Sequence, residues 1–414
     1  MHLRQQPLCV LAGVLLVAGA GSASFAGVSL EGLGHPPGRD VSAAYAVSAD
    51  GSVVVGHSAA TTGDTHSEAF RWTRAGGMVS LGGLPGASVS TRSSGVSPDG
   101  SAVVGVGDPA SGTSEAFRWT AAGGVEGLGF LDGTYRVSWA QAASKGGAVV
   151  VGSACSAACG GGREAFRWTA STGMQGMGDL PGGDYYSEAY DITPDASVIV
   201  GNSTSASGAE AYRWTEDKGM VGLGDLPGGM FQSVAYAVSS DGRAVVGHGQ
   251  SDAGTEAFRW TAAQGMIGLG VLSGHSESVA LAVSADGSIV VGFSRKLIPV
   301  GPLELLGDEG LIWGDGAFIC EEEAFIWDAT HGMRSLREVL INDYRLDLTG
   351  WTLEWANGIC DDGLVIVGCG INPEGKAEAW MVTLPEPATL SLLGAALVLQ
   401  LLSARRRVAP GAIH

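Results

Sequence analysis

The hexapeptide "EAFRWT" stands at 68–73, 115–120, 164–169 and 256–261, and returns as "EAYRWT" at 210–215. Looser copies, "EAFIWD" and "EAWMVT", stand at 323–328 and 378–383. The repeated acids are Glu68, Glu115, Glu164, Glu210, Glu256, Glu323 and Glu378. Trp72, Trp119, Trp168, Trp214, Trp260 and Trp327 follow all but the last. The first four steps between the acids are 46–49 residues; the last two are 67 and 55. Self-similarity at such a period confines the chain to a repeat architecture, because each unit needs neighbours to bury its apolar faces.

Every unit has the same parts in the same order. The first unit reads "AYAVS", "ADG", "SVVVG", a loop, "EAFRWT", "AGG", "MVSLG" and "GLPGA". Short Val/Ile runs without helical spacing, bounded by Gly and Asp-Gly, predict buried strands. Asp and Gly between two such runs predict hairpin turns, since both tolerate left-handed backbone. Each unit is then a four-stranded antiparallel meander, the size of a propeller blade. The seventh unit lacks a fourth strand, and an unpaired "GVSLEGLG" at 27–34 resembles the missing one. The expected fold is all-β: a seven-bladed β-propeller over 27–383, whose N-terminal strand closes the last blade and leaves no open sheet edge. A β-solenoid is the rival, but its coils are shorter and it needs caps instead of complementary ends.

The first strands are almost all Ala, Ser, Gly and Thr, apart from one Val or Tyr read as reaching outward, so they suit the axis. In the third strand, alternation puts Phe70 and Trp72 on one face with Glu68, and Ala69 and Arg71 on the other. The aromatic pair fills the gap to one neighbouring blade, while Ala and the Arg stem lie against the other. Arg gives way to Ile326 and Met381 in the last two units, so stem packing is part of its role. The seven acids admit two readings. They are a ring holding calcium or a cationic ligand, or they accept backbone hydrogen bonds and pair with Arg; a third strand lies too far from the axis to favour the first. One Asp per "ADGS" does not make a calcium loop, which needs several oxygen ligands.

No catalytic constellation stands out. His35, His57, His66, His248, His275 and His331 are read as scattered through loops, and "GLPGG" as a turn with no helix behind it to cradle a phosphate. The first-strand residues are also too small and apolar to supply a cluster at the axis, so the expectation is no enzyme and no cofactor or metal. The room for function lies in an insertion at 293–322: Gly292 and Glu323 are 31 positions apart, where other units take 9–12. Long loops on rigid scaffolds commonly carry binding.

Both ends read as addresses. His2 and Arg4, an apolar run from Leu8 and small residues to Ala26 make a secretory signal peptide over 1–26, cut after Ala26. The formal charge is −19 at pH 7, and setting the ends aside removes mainly Arg. With no Lys/Arg cluster in the core, nucleic acid and anionic membrane surfaces are poor partners. Cys155 and Cys159 stand in one loop of an exported chain, placed to form a local disulfide. A zinc site is disfavoured there because no His lies at ligand spacing. Cys320, Cys360 and Cys369 have no readable pairing.

The units "GLGDLPGG…AYAVSSDGRAVVGHG…EAFRWT…GMIGLG" resemble the HAF-repeat family of bacterial extracellular proteins, over about 27–383. Glu stands in the place of the family's His. The resemblance implies an exported repeat protein and no particular reaction. The segment 384–407 is similar to a PEP-CTERM sorting signal: Pro385-Glu386-Pro387, an apolar helix, then Arg405, Arg406 and Arg407, with a tail at 408–414. The run 388–404 is near the lower limit for a membrane span, and the Arg cluster would stay cytoplasmic. This resemblance implies a Gram-negative bacterium, processing by an exosortase, transient anchoring in the inner membrane, and delivery to the cell surface or matrix beside exopolysaccharide. The leading functional expectation is a non-enzymatic scaffold binding glycan or protein. The alternatives are a propeller enzyme acting on extracellular polysaccharide and a passive surface-layer component.

Overall fold

Each Val/Ile run forms the second strand of a four-stranded antiparallel sheet, flanked by the small-residue strand and the "EAFRWT" strand. The computed structural model describes residues 27–386 except 62–65, 87–89, 109–112, 132–134, 159, 161 and 300–317. The described residues make seven such sheets, the blades of a β-propeller. Blade one consists of Val41–Val47, Val53–Ala59, Glu68–Thr73 and Gly77–Ser80. Blades two to six follow in chain order, their inner strands starting at Thr91, Ser138, Gly182, Ser233 and Glu277. Blade seven joins the two ends of the chain: Thr352–Ile359, Val365–Ile371 and Ala377–Thr383 are completed by Ser29–Gly32. The pairing runs antiparallel from Ser29 opposite Thr383 to Gly32 opposite Trp380.

The third strands carry the blade-to-blade contacts. Phe117 of blade two packs on Ala69 and Leu84 of blade one, and Phe258 of blade five on Ala211 of blade four. The ring closes with the same contact, Phe70 and Trp72 against Ala379 and Met381 of blade seven. Phe70, Phe117, Phe166, Tyr212, Phe258, Phe325 and Trp380 are all fully buried. Each ring lies over the Gly that ends the Val/Ile run. A Cβ on Gly56 would meet the Phe70 ring at 2.9 Å and the Ala43 carbonyl oxygen at 1.9 Å. A larger residue there would displace the aromatic or the inner strand.

The Arg stems cross to the next blade. The Arg118 and Arg213 Nη2 groups donate to the carbonyls of Gly146 (3.2 Å) and Gly242 (3.4 Å), and Arg259 Nε donates to that of Gly287 (2.8 Å). All three acceptors lie in turns between first and second strands. Those turns are tied to one another around the lower rim. The N–H of Ala49 donates to Pro98, Lys145 to Pro194, Asp241 to Ala285, Ala285 to Asp361 and Asp361 to Ala49. This circle breaks after Pro98 and after Pro194, which have no N–H to pass on.

The repeated Glu holds its own blade's exit. The N–H groups of Gly129, Gly178, Gly224, Gly270 and Gly34 donate to Glu115, Glu164, Glu210, Glu256 and Glu378, over 2.9–3.3 Å. Each of these glycines has φ between +71° and +79°, which a side chain resists. A second Gly, such as Gly222, lies under the carboxylate, where an added Cβ would stand 2.1 Å from Glu210 Oε1. The two blades lacking that Gly depart accordingly. With Ser80 in its place, Glu68 pairs with Arg39 at 2.6 Å. With Ser335 in its place, Glu323 accepts the Ser335 hydroxyl, and the chain enters a helix, Leu336–Asn342, whose first turn Ser335 caps by accepting the Glu338 N–H. That helix lengthens the link between blades six and seven.

Glu210→Ala should cost about 1–3 kcal/mol, because it leaves the Gly224 N–H without its acceptor. Calorimetry reads this as a lower thermal midpoint. An equally stable variant that has lost bound calcium would instead make the carboxylate a metal ligand.

Candidate functional site

Each inner strand carries a β-bulge at the same place. In blade one, Ala44 pairs with Gly56 and Ala46 with Val55, so Tyr45 between them has no partner. The same register shift isolates Ser94, Gln141, Tyr190, Tyr236, Leu281 and Asn357. A bulge re-aims the extra side chain, and here all seven turn to the axis and line the channel on both sides. The reading of the inner-strand Tyr as reaching outward is thus corrected. Simple alternation assigns it to a packed face, whereas the bulge resets the alternation.

The seven residues divide the channel in two. Below them, toward the first turns, is a cavity of about 210 Å³. Above them, on the face of the blade-to-blade links, is one of about 410 Å³, which adds His57, Arg92, Val106 and Trp139 to the lining. His57 and His248 lie on second strands, not in loops as the sequence suggested. They stand one residue after the Gly of the Val/Ile run, and a register pairing puts them opposite Ala43 and Val234.

The upper cavity is walled by aromatic rings with polar edges. Tyr45 stacks on His57 at 5.2 Å between ring centroids; Tyr190 and Tyr236 meet edge to face at 5.2 Å; Tyr236 lies 5.6 Å from His248. Around the rim, the Arg163 guanidinium covers Trp139 at 4.5 Å and pairs with the buried Glu188, which also accepts the Tyr190 hydroxyl. A similar arrangement stands at blades six and seven. Phe293 stacks on Trp355 at 4.7 Å, and Arg295 reaches Glu322 at 2.7 Å. Asn357 is held by the Ala44 carbonyl at 2.8 Å.

Burial dominates the protonation of these groups. It holds His57 down to about 4, helped by the charge of Arg92, and His248 likewise to about 4. Both imidazoles are thus neutral near pH 7. Burial raises the Tyr45 hydroxyl to about 12, with Cys369 adding to the effect and Arg92 opposing it. Burial, then the Glu188 charge, also raises Tyr190. In the lower cavity, burial lifts Asp191 to about 7 against its two backbone hydrogen bonds, from Ile192 and Val238.

The residues singled out in the sequence fall elsewhere. None of the repeated Glu or Trp lines either axial cavity among the described residues. The insertion begins as ordered β-ladder. The second and third strands of blade six run on to Pro299 opposite Phe318, and 300–317 lie outside the described residues. Cys155 ends a strand of blade three, while Cys159, and with it the disulfide, lies outside them. Ala26, Pro387, Arg405, Arg406 and Arg407 lie outside them too. Leu384 is still packed in the blade-seven core, and Pro385 lies against Gly27. Among the described residues no helix is long and apolar enough to cross a membrane, and no three His, Cys, Asp or Glu side chains group as a metal site.

No protein-family model matches the chain, and no curated protein matches it. Solved propellers are similar in fold. A TolB from Acinetobacter baumannii is 13% identical over 84% of this chain and 65% of its own, with a TM-score of 0.42. A prolyl endopeptidase is 12% identical over 87% of this chain and 51% of its own, at 0.48. A gluconolactonase from Xanthomonas campestris is 11% identical over 88% of this chain and 92% of its own, at 0.38. The chain thus spans about two thirds of that TolB and half of that endopeptidase. The expectation of no enzyme is withdrawn. Its premise was an inner strand too small and apolar to present reactive groups. That premise fails, because Tyr, His and Arg converge at the axis.

The depressed His values carry a sign. Between about pH 6.5 and 4 the unfolded chain binds protons that native His57 and His248 do not, so each lowers stability as pH falls. Asp191, raised instead, acts the opposite way between its usual range and about 7. His57→Gln should therefore lose less thermal stability than the native chain on going from about pH 7 to about pH 5. Equal losses in the two proteins would mean that His57 titrates normally.

Proposed function

We propose that this is an exported propeller, sorted to the cell surface or matrix, that recognises polysaccharide in its upper axial cavity. One observation carries the recognition: aromatic walls with hydroxyl, amide and imidazole edges around about 410 Å³ of space. A sugar ring offers an apolar C–H face and a polar hydroxyl edge, which such a lining complements. The volume lies within the range of about 300–1,000 Å³ usual for small-molecule sites. Tyr and Trp supply contact area with few torsions to freeze. Export and sorting rest on the resemblance of the two chain ends to a signal peptide and a PEP-CTERM signal, with an exosortase as processing partner. A second reading, cleavage of the bound polysaccharide, is supported by the gathering of Tyr45, His57 and Arg92 on one side of the cavity.

Full-length protein applied to an array of exopolysaccharide oligomers should bind at least one of them. Replacing Tyr236 by Ala should weaken that binding about tenfold or more, as removal of a central aromatic contact does. No binding to any oligomer would remove the recognition reading in favour of a passive surface component. Shortening of a bound oligomer on incubation, seen by its chain length, would select the cleavage reading. In cells lacking the exosortase, the protein should stay larger and membrane-associated. Unchanged size and location would defeat the sorting assignment.

A further inference from the structure

The upper cavity has a single formal charge among its described lining residues, and it is positive. The chain as a whole is −19, so a cation standing without acids at a binding surface needs a reason. Two other Arg residues at the rim are neutralised: Arg163 by Glu188, and Arg295 by Glu277 and Glu322. Arg92 is not. Its Nε donates to Ser67 Oγ at 3.0 Å, which fixes the guanidinium. Its two terminal amino groups have no carboxylate partner among the described residues.

Packing does not explain it. The same place in the other blades, two residues before the bulge, holds Ala43, Trp139, Glu188, Val234, Val279 and Trp355. The propeller therefore accepts almost any side chain there, and Arg92 is exposed to the channel. It sits close enough to Tyr45 and His57 to shift the titration of both. The imidazole, being neutral, adds no second positive charge and takes no share of an anion's. A fixed guanidinium beside an aromatic wall, in a cavity whose described lining holds no acid, matches a ligand carrying one anionic group. The fork of N–H donors pairs with two oxygens of a carboxylate or a sulfate.

Resting on the polysaccharide reading above, we infer that the upper cavity takes an acidic sugar, whose anionic group Arg92 clamps while Tyr45 and its neighbours bound the ring. The acid is a uronate carboxylate or a sulfate ester; the two share this recognition chemistry and are separated by the probes below. Neutral sugars lack the group that would compensate Arg92 on displacement of its water.

The test compares oligogalacturonate, the same oligomer with its carboxyls reduced to neutral alcohols, and a sulfated galacto-oligosaccharide, each titrated into full-length protein by calorimetry. At least one acidic oligomer should bind about tenfold or more tightly than the reduced one, the effect of one charge-assisted contact. The better acid identifies the group. R92Q should abolish the preference and keep the native thermal midpoint, whereas R92K, which retains the charge without the fork, should keep part of it. Equal affinity for acidic and reduced oligomers, unaltered in R92Q, would overturn the anion clamp and leave polysaccharide recognition standing. Failure of all three oligomers to bind a protein that also binds no other glycan would overturn both.

Discussion

The seven blades are held in register by one contact repeated around the ring, a buried aromatic seated over a Gly of its own sheet and against an Ala of the blade before it. The seat leaves almost no tolerance. At Gly56, Gly152, Gly201 and Gly292 an added Cβ would fall within 2.0 Å of an inner-strand carbonyl. Burying an aromatic of this size contributes about 1.5–3 kcal/mol, and it does so at every interface, including the one that closes the circle. The Val/Ile run, its terminal Gly and the "EAFRWT" strand recur together because they are parts of that one contact. In five of the seven blades the Glu at the head of the motif serves it indirectly, by holding the left-handed Gly through which the chain leaves the blade.

A frame specified this tightly leaves few places free to vary, and the inner-strand bulge is one of them. Its neighbours are small in every blade but the fourth, where Asp191 follows Tyr190: Ala44 and Ala46, Ser93 and Gly95, Ala235 and Ala237. The bulge residue itself ranges over Tyr, Ser, Gln, Leu and Asn without disturbing the register on either side. The positions two residues earlier vary just as widely, from Ala43 to Arg92 to Trp355. The chemistry of the channel can therefore change while every blade-to-blade contact is kept.

The architecture was readable because period, turn residues and apolar runs all pointed to it, down to the completion of blade seven by Ser29–Gly32. The channel was not readable by the same means. A bulge is a property of pairing between strands, and its sequence signal, one large residue between two small ones, looks like ordinary alternation until a partner strand is present. Taking Tyr45 and Tyr236 as outward-facing made the axis look inert, and the expectation of no catalysis followed from it. His57 and His248 were misplaced for a related reason. They follow the Gly that ends the apolar run, which reads as a boundary, yet the strand continues past it to Ala59 and Ser251. The helix after blade six had a signal in Ser335 and Glu338, a capping pair three residues apart. It was masked by the resemblance of "GMRSLRE" to the strands before it.

The sharing of blade seven between the chain ends has a mechanical side. Ala377–Thr383 is flanked by Val365–Ile371 on one edge and by Ser29–Gly32 on the other, and Leu384 just beyond it still donates its N–H to the Leu364 carbonyl at 2.7 Å. Tension applied along that strand loads two rows of hydrogen bonds in shear, all at once. An outer strand peeled from its sheet would give way one bond at a time. The seam that makes the ring circular thus also holds its last strand from both sides against a pull along its length.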